Sequence, residues 1–290
     1  MKYFKTNSSE LNSKINTISI LGVGWLGTNL AQLILKQQNE KVTIKGSTTT
    51  PSKVEHLQKM GIKPYLINLH PQGPDLNFDF DFLNTDLLII SLPPKVKTEG
   101  VDFHLWQINT LINFIDSQIP IIYLSSTSVY GDNQGAVDES TTPIPTKFSG
   151  KVILRAEEIL REKFKDKLTI LRLGGLIGPG REPSRLSKKN PQLFNSHSKI
   201  NLIHLDDACG IILAIIYKNA WGEIFNGVAD EHFSKLDFYS LYSQPSPSSL
   251  SLALPNANKI DDSNCKVVSN LKIKDLLQYQ TKSLITNLNL

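Results

Sequence analysis

The chain has 290 residues, 40% of them hydrophobic and 20% charged, with a formal net charge of +4. That composition is globular, and a chain of this length buries a core without metals or cross-links. Lys and Arg are interspersed with acids, as in Arg161-Glu162-Lys163, so the basic stripe of a nucleic-acid binder is missing and no nucleic-acid partner is expected.

The cluster from Arg181 to Lys189 reads as a solvated loop, with capture of an anionic substrate as the alternative. Cys209 and Cys265 make neither a metal-ligand spacing nor a disulfide framework, so no metal site is expected and a reducing compartment fits. Cys209 lies in an apolar run and reads as a small core residue. No apolar run reaches membrane-spanning length, so no membrane partner is expected. The segment MKYFKTNSSELNSK lacks the apolar centre of a signal peptide. Residues 1–14 read as a polar lead-in and the protein as cytoplasmic.

The first half alternates strand and helix. Thr17 to Leu21 is a β-branched, apolar run that ends at a glycine turn. A helix follows to Gln37, with Leu26, Leu30, Leu33 and Ile34 at helical spacing. Val42 to Lys45 is a second strand. Pro51 opens a second helix, Val54, Leu57 and Met60 mark its inner face, and Gly61 ends it. Tyr65 to Leu69 is the third strand. Asp86 to Leu92 is a continuous apolar run, as in a strand buried on both faces. Helices are predicted over Phe103 to Asp116 and Lys151 to Phe164, and strands over Ile119 to Ser125 and Leu168 to Leu173. This alternation predicts an α/β fold with a Rossmann-type, doubly wound parallel sheet.

The pattern changes near residue 174. Gly175 to Lys199 is rich in Gly, Pro, Ser and Lys, and residues 243–256 are rich in Pro and Ser. Asp206 to Lys218 returns as an apolar helix, Gly222 to Asn226 as a strand, and Asn270 to Leu277 as a last helix. Residues 15–175, with 200–232 returning, are expected to form the dinucleotide-binding domain. Residues 176–199 and 233–290 are expected to form a small C-terminal cap lobe.

Gly22-Val23-Gly24-Trp25-Leu26-Gly27 joins the first strand to the first helix. In a G-x-G-x-x-G of this setting the first glycine makes the turn, the second lets the backbone approach a pyrophosphate, and the third lets the helix pack closely. The N–H groups opening the helix then face the phosphates. The bland alternative is a glycine turn with no ligand. Sites selective for NAD place Asp or Glu about 20 residues beyond the glycines, on the second strand. Here the chain reads Lys45-Gly46-Ser47-Thr48-Thr49-Thr50, followed by Lys53. Hydroxyls and two lysines suit a 2′-phosphate, so NADP(H) is expected ahead of NAD(H). The hydroxyls also suit capping of the following helix.

Three later segments, added to the glycine loop, resemble the extended short-chain dehydrogenase/reductase family, which includes the NAD-dependent epimerases and dehydratases of nucleotide sugars. They are Ser125-Ser126-Thr127-Ser128-Val129-Tyr130-Gly131, Arg172 to Gly180 (RLGGLIGPG), and Ile203-His204-Leu205-Asp206-Asp207-Ala208 with Gly222 to Asn226 beyond it. The likeness is nearest to a bacterial subgroup carrying G-x-G-W-L-G and S-S-T-S-V-Y-G. The resemblance implies that Ser126 hydrogen-bonds the reacting hydroxyl. It implies that Leu92 and Pro93 pass the cofactor ribose, that Gly174 and Gly175 meet the nicotinamide, and that the loop from Gly178 to Lys199 faces substrate. It also implies a small-molecule substrate, with a nucleotide sugar as one candidate, and a homodimer.

The family's chemistry rests on Y-x-x-x-K. The tyrosine moves a proton as hydride moves, and the lysine favours the phenolate. Here Ser149 stands in place of the tyrosine and Ile153 in place of the lysine. No tyrosine in the chain has a lysine four residues later. Lys151 is turned roughly 200° from Ile153 on a helix and should face elsewhere. Tyr130 is the phenol left near the site, with packing at the strand end as its alternative. His104 reads as a helix-surface residue and His204 as a support of the strand–loop junction, each with an acid–base role as the alternative. Two functions follow: an atypical NADP(H)-dependent oxidoreductase or epimerase using Ser126 with Tyr130 or Ser149, or a dinucleotide-binding redox sensor without chemistry.

Overall fold

A computed structural model describes residues 15–38, 41–70, 73–74, 78–182, 198–235, 237–238 and 265–284. Its centre is a parallel sheet of seven strands: β1 (Thr17–Leu21), β2 (Thr43–Thr48), β3 (Lys63–Leu66), β6 (Leu87–Ile90), β7 (Ile121–Ser126), β9 (Leu168–Leu173) and β12 (Ile224–Gly227). The order across the sheet is β3-β2-β1-β6-β7-β9-β12. The chain thus winds outward from β1 through β2 to β3, then returns beside β1 at β6 and winds the other way. The reversal between β1 and β6 opens a crevice at the carboxyl ends of the strands. The four residues of β6 and the six of β9 are all buried, which explains their unbroken apolar character.

Helices cover both faces. Against one face pack α1 (Trp25–Gln37), α2 (Val54–Lys59), α6 (Leu205–Lys218) and α7 (Leu271–Leu277), through Leu30, Ile34, Leu57, Ile212 and Ile273 among others. Against the other pack α4 (Phe103–Ile112) and α5 (Phe148–Phe164), through Ile108, Leu111, Ala156 and Leu160. The short α3 (Val96–Glu99) leads into α4. Helix α6 is buried almost all round, and Cys209 is a core residue on it, as expected. Burial of Asp207 on α6 pushes its carboxyl up to about 6, and this carboxyl accepts from the Tyr279 hydroxyl at 2.9 Å.

Several boundaries differ from the sequence reading. Pro51 opens a single 3-10 turn, and α2 begins at Val54. The third strand stops at Leu66, and Leu69 instead starts a hairpin of β4 (Leu69–His70) with β5 (Gly73–Pro74). Outside the main sheet, β10 (Gly175–Ile177) pairs with β11 (Leu202–His204), and β8 (Ala136–Val137) pairs with β13 (Val267–Val268). Ile177, Ile200, Leu202, Phe238 and Leu284 form a small separate apolar cluster beside the first of these ribbons. The expected lead-in, residues 183–197 of the expected substrate loop, and the Pro/Ser-rich stretch lie outside the described residues.

One polar network crosses the second face. Arg172 of β9 and Glu157 of α5 form a two-pronged ion pair at 2.7 and 3.0 Å, almost wholly buried. The Ser125 hydroxyl donates to the same carboxylate, and Arg172 donates to the Tyr130 hydroxyl at 2.8 Å. Removing one partner of a buried pair leaves an uncompensated charge. Glu157→Ala is therefore expected to lower the unfolding free energy by about 3–5 kcal/mol, read from urea denaturation; a loss below about 1 kcal/mol would show that the pair does not anchor α5.

Candidate dinucleotide site

A cleft of ≈ 430 Å³ opens at the reversal point, above the carboxyl ends of β1, β6, β7 and β9. The glycine loop forms its floor, and each glycine has its own reason. Gly22 turns the chain out of β1 at φ +96°, and a Cβ there would lie 2.6 Å from the Ser91 carbonyl oxygen. A Cβ on Gly27 would lie 2.8 Å from the Gly22 carbonyl oxygen, so this glycine lets α1 pack against the loop. A Cβ on Gly24 would meet nothing within 4 Å. Packing within the fold therefore does not require a glycine at position 24. Gly24 is also the N-cap of α1, with no side-chain cap and no acid in the first turn. The helix start thus opens on the cleft with no side chain of its own capping it.

Ser47 clamps this loop to β2: its hydroxyl accepts from the Gly22 N–H and its carbonyl from the Val23 N–H, both at 2.8 Å. Ser47, Thr48, Thr49 and Lys53 all line the cleft beyond β2, with Thr49 and Lys53 exposed. Lys45 does not join them. Its ammonium is buried and donates to the carbonyls of Asp81 and Asn84 at 2.5 and 2.7 Å, so the second lysine expected for a 2′-phosphate is already engaged. Trp25, Leu26, Leu92, Pro93 and Gly174 line the cleft. Gly27 and Gly175 do not; Gly175 lies in β10, where a Cβ would press on the Leu202 side chain at 2.8 Å.

The catalytic candidates separate. Ser126 lines the cleft, and its Oγ accepts from the Ser128 N–H at 3.1 Å, which leaves the hydroxyl proton available. Tyr130 lies outside the cleft, 1% exposed, with its hydroxyl shared among Arg172, the Asp138 carbonyl and Asn226. Burial pushes this phenol's pKa up, with Arg172 partly offsetting the rise. Ser149 is outside the cleft too, whereas Ile153 lines it. The helix therefore does present position 153 to the site, and presents a hydrocarbon. Lys151 faces away, over the Phe148 ring at 5.6 Å.

His204 caps α6, its Nδ1 accepting from the Asp206 N–H at 3.2 Å, which agrees with the junction role. His104 overturns its expectation. It is not on the helix surface but fully buried, with Nε2 2.9 Å from the Tyr123 hydroxyl. The buried positions of α4 are His104, Gln107, Ile108 and Leu111, a helical stripe that includes two polar residues. That spacing was a usable signal, masked by the polarity of the first two residues.

Sequence reasoning missed Gln107, Tyr123 and Lys95 as cleft residues, whereas Arg181 opens the cluster for which anion capture was the alternative reading. Arg181 lies over the Trp25 ring at 4.4 Å, and the Trp25 indole N–H donates to the Pro179 carbonyl at 2.9 Å. Among the described residues the cleft carries three cations, Lys53, Lys95 and Arg181, and no carboxylate. That field suits a ligand with several negative charges.

The fold defines a Rossmann-type α/β protein. Protein YeeZ of Escherichia coli (strain K12) is 34% identical over 267 residues, covering 91% of this chain and 94% of the relative. The chain belongs to the family of that protein. UDP-glucuronic acid 4-epimerase of Bacillus cereus, solved with UDP-glucuronic acid and NAD, shares the fold at a TM-score of 0.69 and 22% identity, over 94% of this chain and 96% of that one. dTDP-glucose 4,6-dehydratase of Bacillus anthracis, solved with NAD, does so at 0.69 and 16% identity, over 93% of each chain. No protein-family model matches the chain.

The glycine geometry gives a direct test. Gly24→Ala is expected to melt with the wild type. Gly22→Ala is expected to lose at least about 1 kcal/mol, from strain and overpacking against Ser91. Equal melting of the two variants would show that the loop is not built as described.

Proposed function

We propose that the protein binds NADP(H) in this cleft and acts as an atypical oxidoreductase or epimerase on a polar carbonyl or hydroxyl substrate, with nucleotide sugars as the first class to examine. The observation that carries the reading is one cleft that holds both an uncapped glycine-loop helix start and Ser126. The pyrophosphate would rest on the N–H groups from Gly24 to Leu26. The adenosine ribose would lie toward β2, where Thr48, Thr49 and Lys53 offer hydroxyls and a cation but no acid. The nicotinamide would lie toward β7, near Ser126 and Gly174, with Leu92 and Pro93 beside its ribose. The relatives solved with NAD and a nucleotide sugar support the ligand classes.

In this reading Ser126 donates its hydroxyl proton as a hydrogen bond to the substrate oxygen and so orients it toward the nicotinamide. Among the described residues, Ile153 stands in the cleft where the family would have its lysine, and Tyr130 is held in the Arg172 network outside it. The proton is then exchanged by a group of the substrate or by solvent. The residues expected in the cap lobe, 176–199 and 233–290, would cover the substrate side. A homodimer and a cytoplasmic location complete the proposal.

The Ile153 lining favours a second reading, in which the protein binds the dinucleotide and reports its redox state without chemistry. The two differ in hydride transfer. Transfer of label from reduced cofactor into a sugar-nucleotide or carbonyl panel, lost in Ser126→Ala, supports the enzyme; unequal affinity for oxidised and reduced cofactor without transfer supports the sensor.

The cofactor preference has its own test. Lys53→Ala is expected to weaken NADPH binding about tenfold, the worth of one charge-assisted hydrogen bond, and to leave NADH unchanged. Equal losses for both nucleotides would place Lys53 away from the 2′-phosphate.

A further inference from the structure

We propose that Lys266 is the positioning residue for Ser126: its ammonium clamps the turn that follows Ser126 and holds the Ser126 hydroxyl in place at the cleft. The inference rests on the reading of Ser126 as the partner of the substrate oxygen. Ser126 ends β7, and a 3-10 turn, Thr127–Val129, follows at once. Lys266 Nζ donates to the carbonyls at the two ends of this turn, those of Thr127 and Tyr130, each at 3.0 Å. Inside the turn the Ser126 Oγ accepts from the Ser128 N–H at 3.1 Å, and the Thr127 carbonyl also accepts from the Tyr130 N–H at 3.2 Å. The direction of the Ser126 hydroxyl thus depends on where Ser128 lies, and the place of Ser128 depends on the two carbonyls that flank it.

Two other parts of the chain complete the clamp. A Cβ on Gly150 of α5 would overlap the Ser128 carbonyl oxygen, so the helix backbone rests against the turn. Packing of this kind limits how far the turn moves, and the two directed bonds from Lys266 set how it faces. Lys266 is itself fixed from the neighbouring wall. Its carbonyl accepts from the Asn201 side-chain amide at 3.0 Å, the Asn201 side-chain oxygen accepts from the Val268 N–H at 2.8 Å, and the Asn201 main-chain carbonyl accepts from the Gly175 N–H at 2.8 Å. Gly175 follows Gly174, which lines the cleft with Ser126. The segment around β13 therefore ties the chain beyond β9 to the turn beyond β7.

Burying an ammonium here is costly. The Lys266 side chain is 13% exposed, and the Asp132 carboxylate, 3.7 Å away, is already paired with Lys147 at 2.8 Å. Burial lowers the lysine's pKa, with Asp132 partly opposing the fall. A lysine taken from water and turned onto neutral carbonyls gives up solvation that an apolar side chain would not. The return is two charge-assisted bonds to one short stretch of backbone, and that stretch adjoins Ser126. A hydrogen bond to a reacting oxygen needs its donor held to within about 0.5 Å, which a single 3-10 turn does not achieve alone.

The test follows amide hydrogen exchange, read residue by residue by NMR, in the wild type, Lys266→Met, Lys266→Arg and Ser126→Ala. Lys266→Met is expected to speed exchange at Ser128 and Tyr130 about tenfold, the worth of one charge-assisted hydrogen bond, and to leave amides in the middle of β7 and α5 unchanged. Lys266→Arg, which keeps a cation with several donors, is expected to restore most of the protection. Ser126→Ala is expected to speed Ser128 alone. Unchanged Ser128 exchange in Lys266→Met would overturn the proposal, and so would a uniform rise across β7 and α5, which marks general destabilisation. Label transfer from reduced cofactor separates the two claims. Lys266→Met is expected to lose about tenfold in kcat with KM for NADPH unchanged, and Lys266→Arg to recover it. Full transfer by Lys266→Met beside an inactive Ser126→Ala would overturn the proposal. A wild type that transfers no label, with Ser128 exchange still sped in Lys266→Met, would remove the reading of Ser126 and leave the clamp standing.

Discussion

The buried pair of Arg172 and Glu157 holds the working end of this molecule together. It ties α5 to β9, and through Ser125 and Tyr130 it ties both to β7 and to the turn that follows. A pair so far from water survives only if its remaining donors and acceptors are satisfied. Here they are, by a serine hydroxyl and a phenol. Tyr130 is buried in this scaffold and does not line the cleft.

The same pair fixes α5, on which Ser149 and Ile153 stand at the positions where the sequence reading looked for Y-x-x-x-K. Ile153 packs in the apolar core on its face, and Glu157, one turn later, is anchored to Arg172. Ser149 lies outside the cleft. Ile153 gives the β7 end of the cleft an apolar wall beside Ser126. At the other end the cleft stays cationic, with Lys53 and Arg181 near the glycine loop and no carboxylate among the described residues.

Much of this was legible in the sequence because it rests on local rules. The runs at Thr17, Asp86 and Leu168 are apolar because both sheet faces are covered, and the helices between them show their inner stripes. The glycine loop could be placed between β1 and α1 from its spacing together with the strand before it and the helix after it. What stayed hidden depends on distant partners. Lys45 reads as a phosphate ligand until the carbonyls of Asp81 and Asn84 are seen to hold it. His104 reads as a surface residue because polarity outweighed its place in the 104, 107, 108, 111 stripe. Arg181 comes to the cleft only through the β10–β11 ribbon, whose short strands and long sequence separation leave no periodic trace.

The most direct test of the account is a titration of the purified protein with NADPH and, separately, NADH, followed by nicotinamide fluorescence, with Gly24→Asp as the control. A carboxylate at Gly24 has room in the free protein but would repel a pyrophosphate at the helix start. The account predicts saturable binding of both nucleotides, tighter for NADPH, and lost in a variant that still melts with the wild type. Absence of binding to either nucleotide, or undiminished binding by Gly24→Asp, would contradict it.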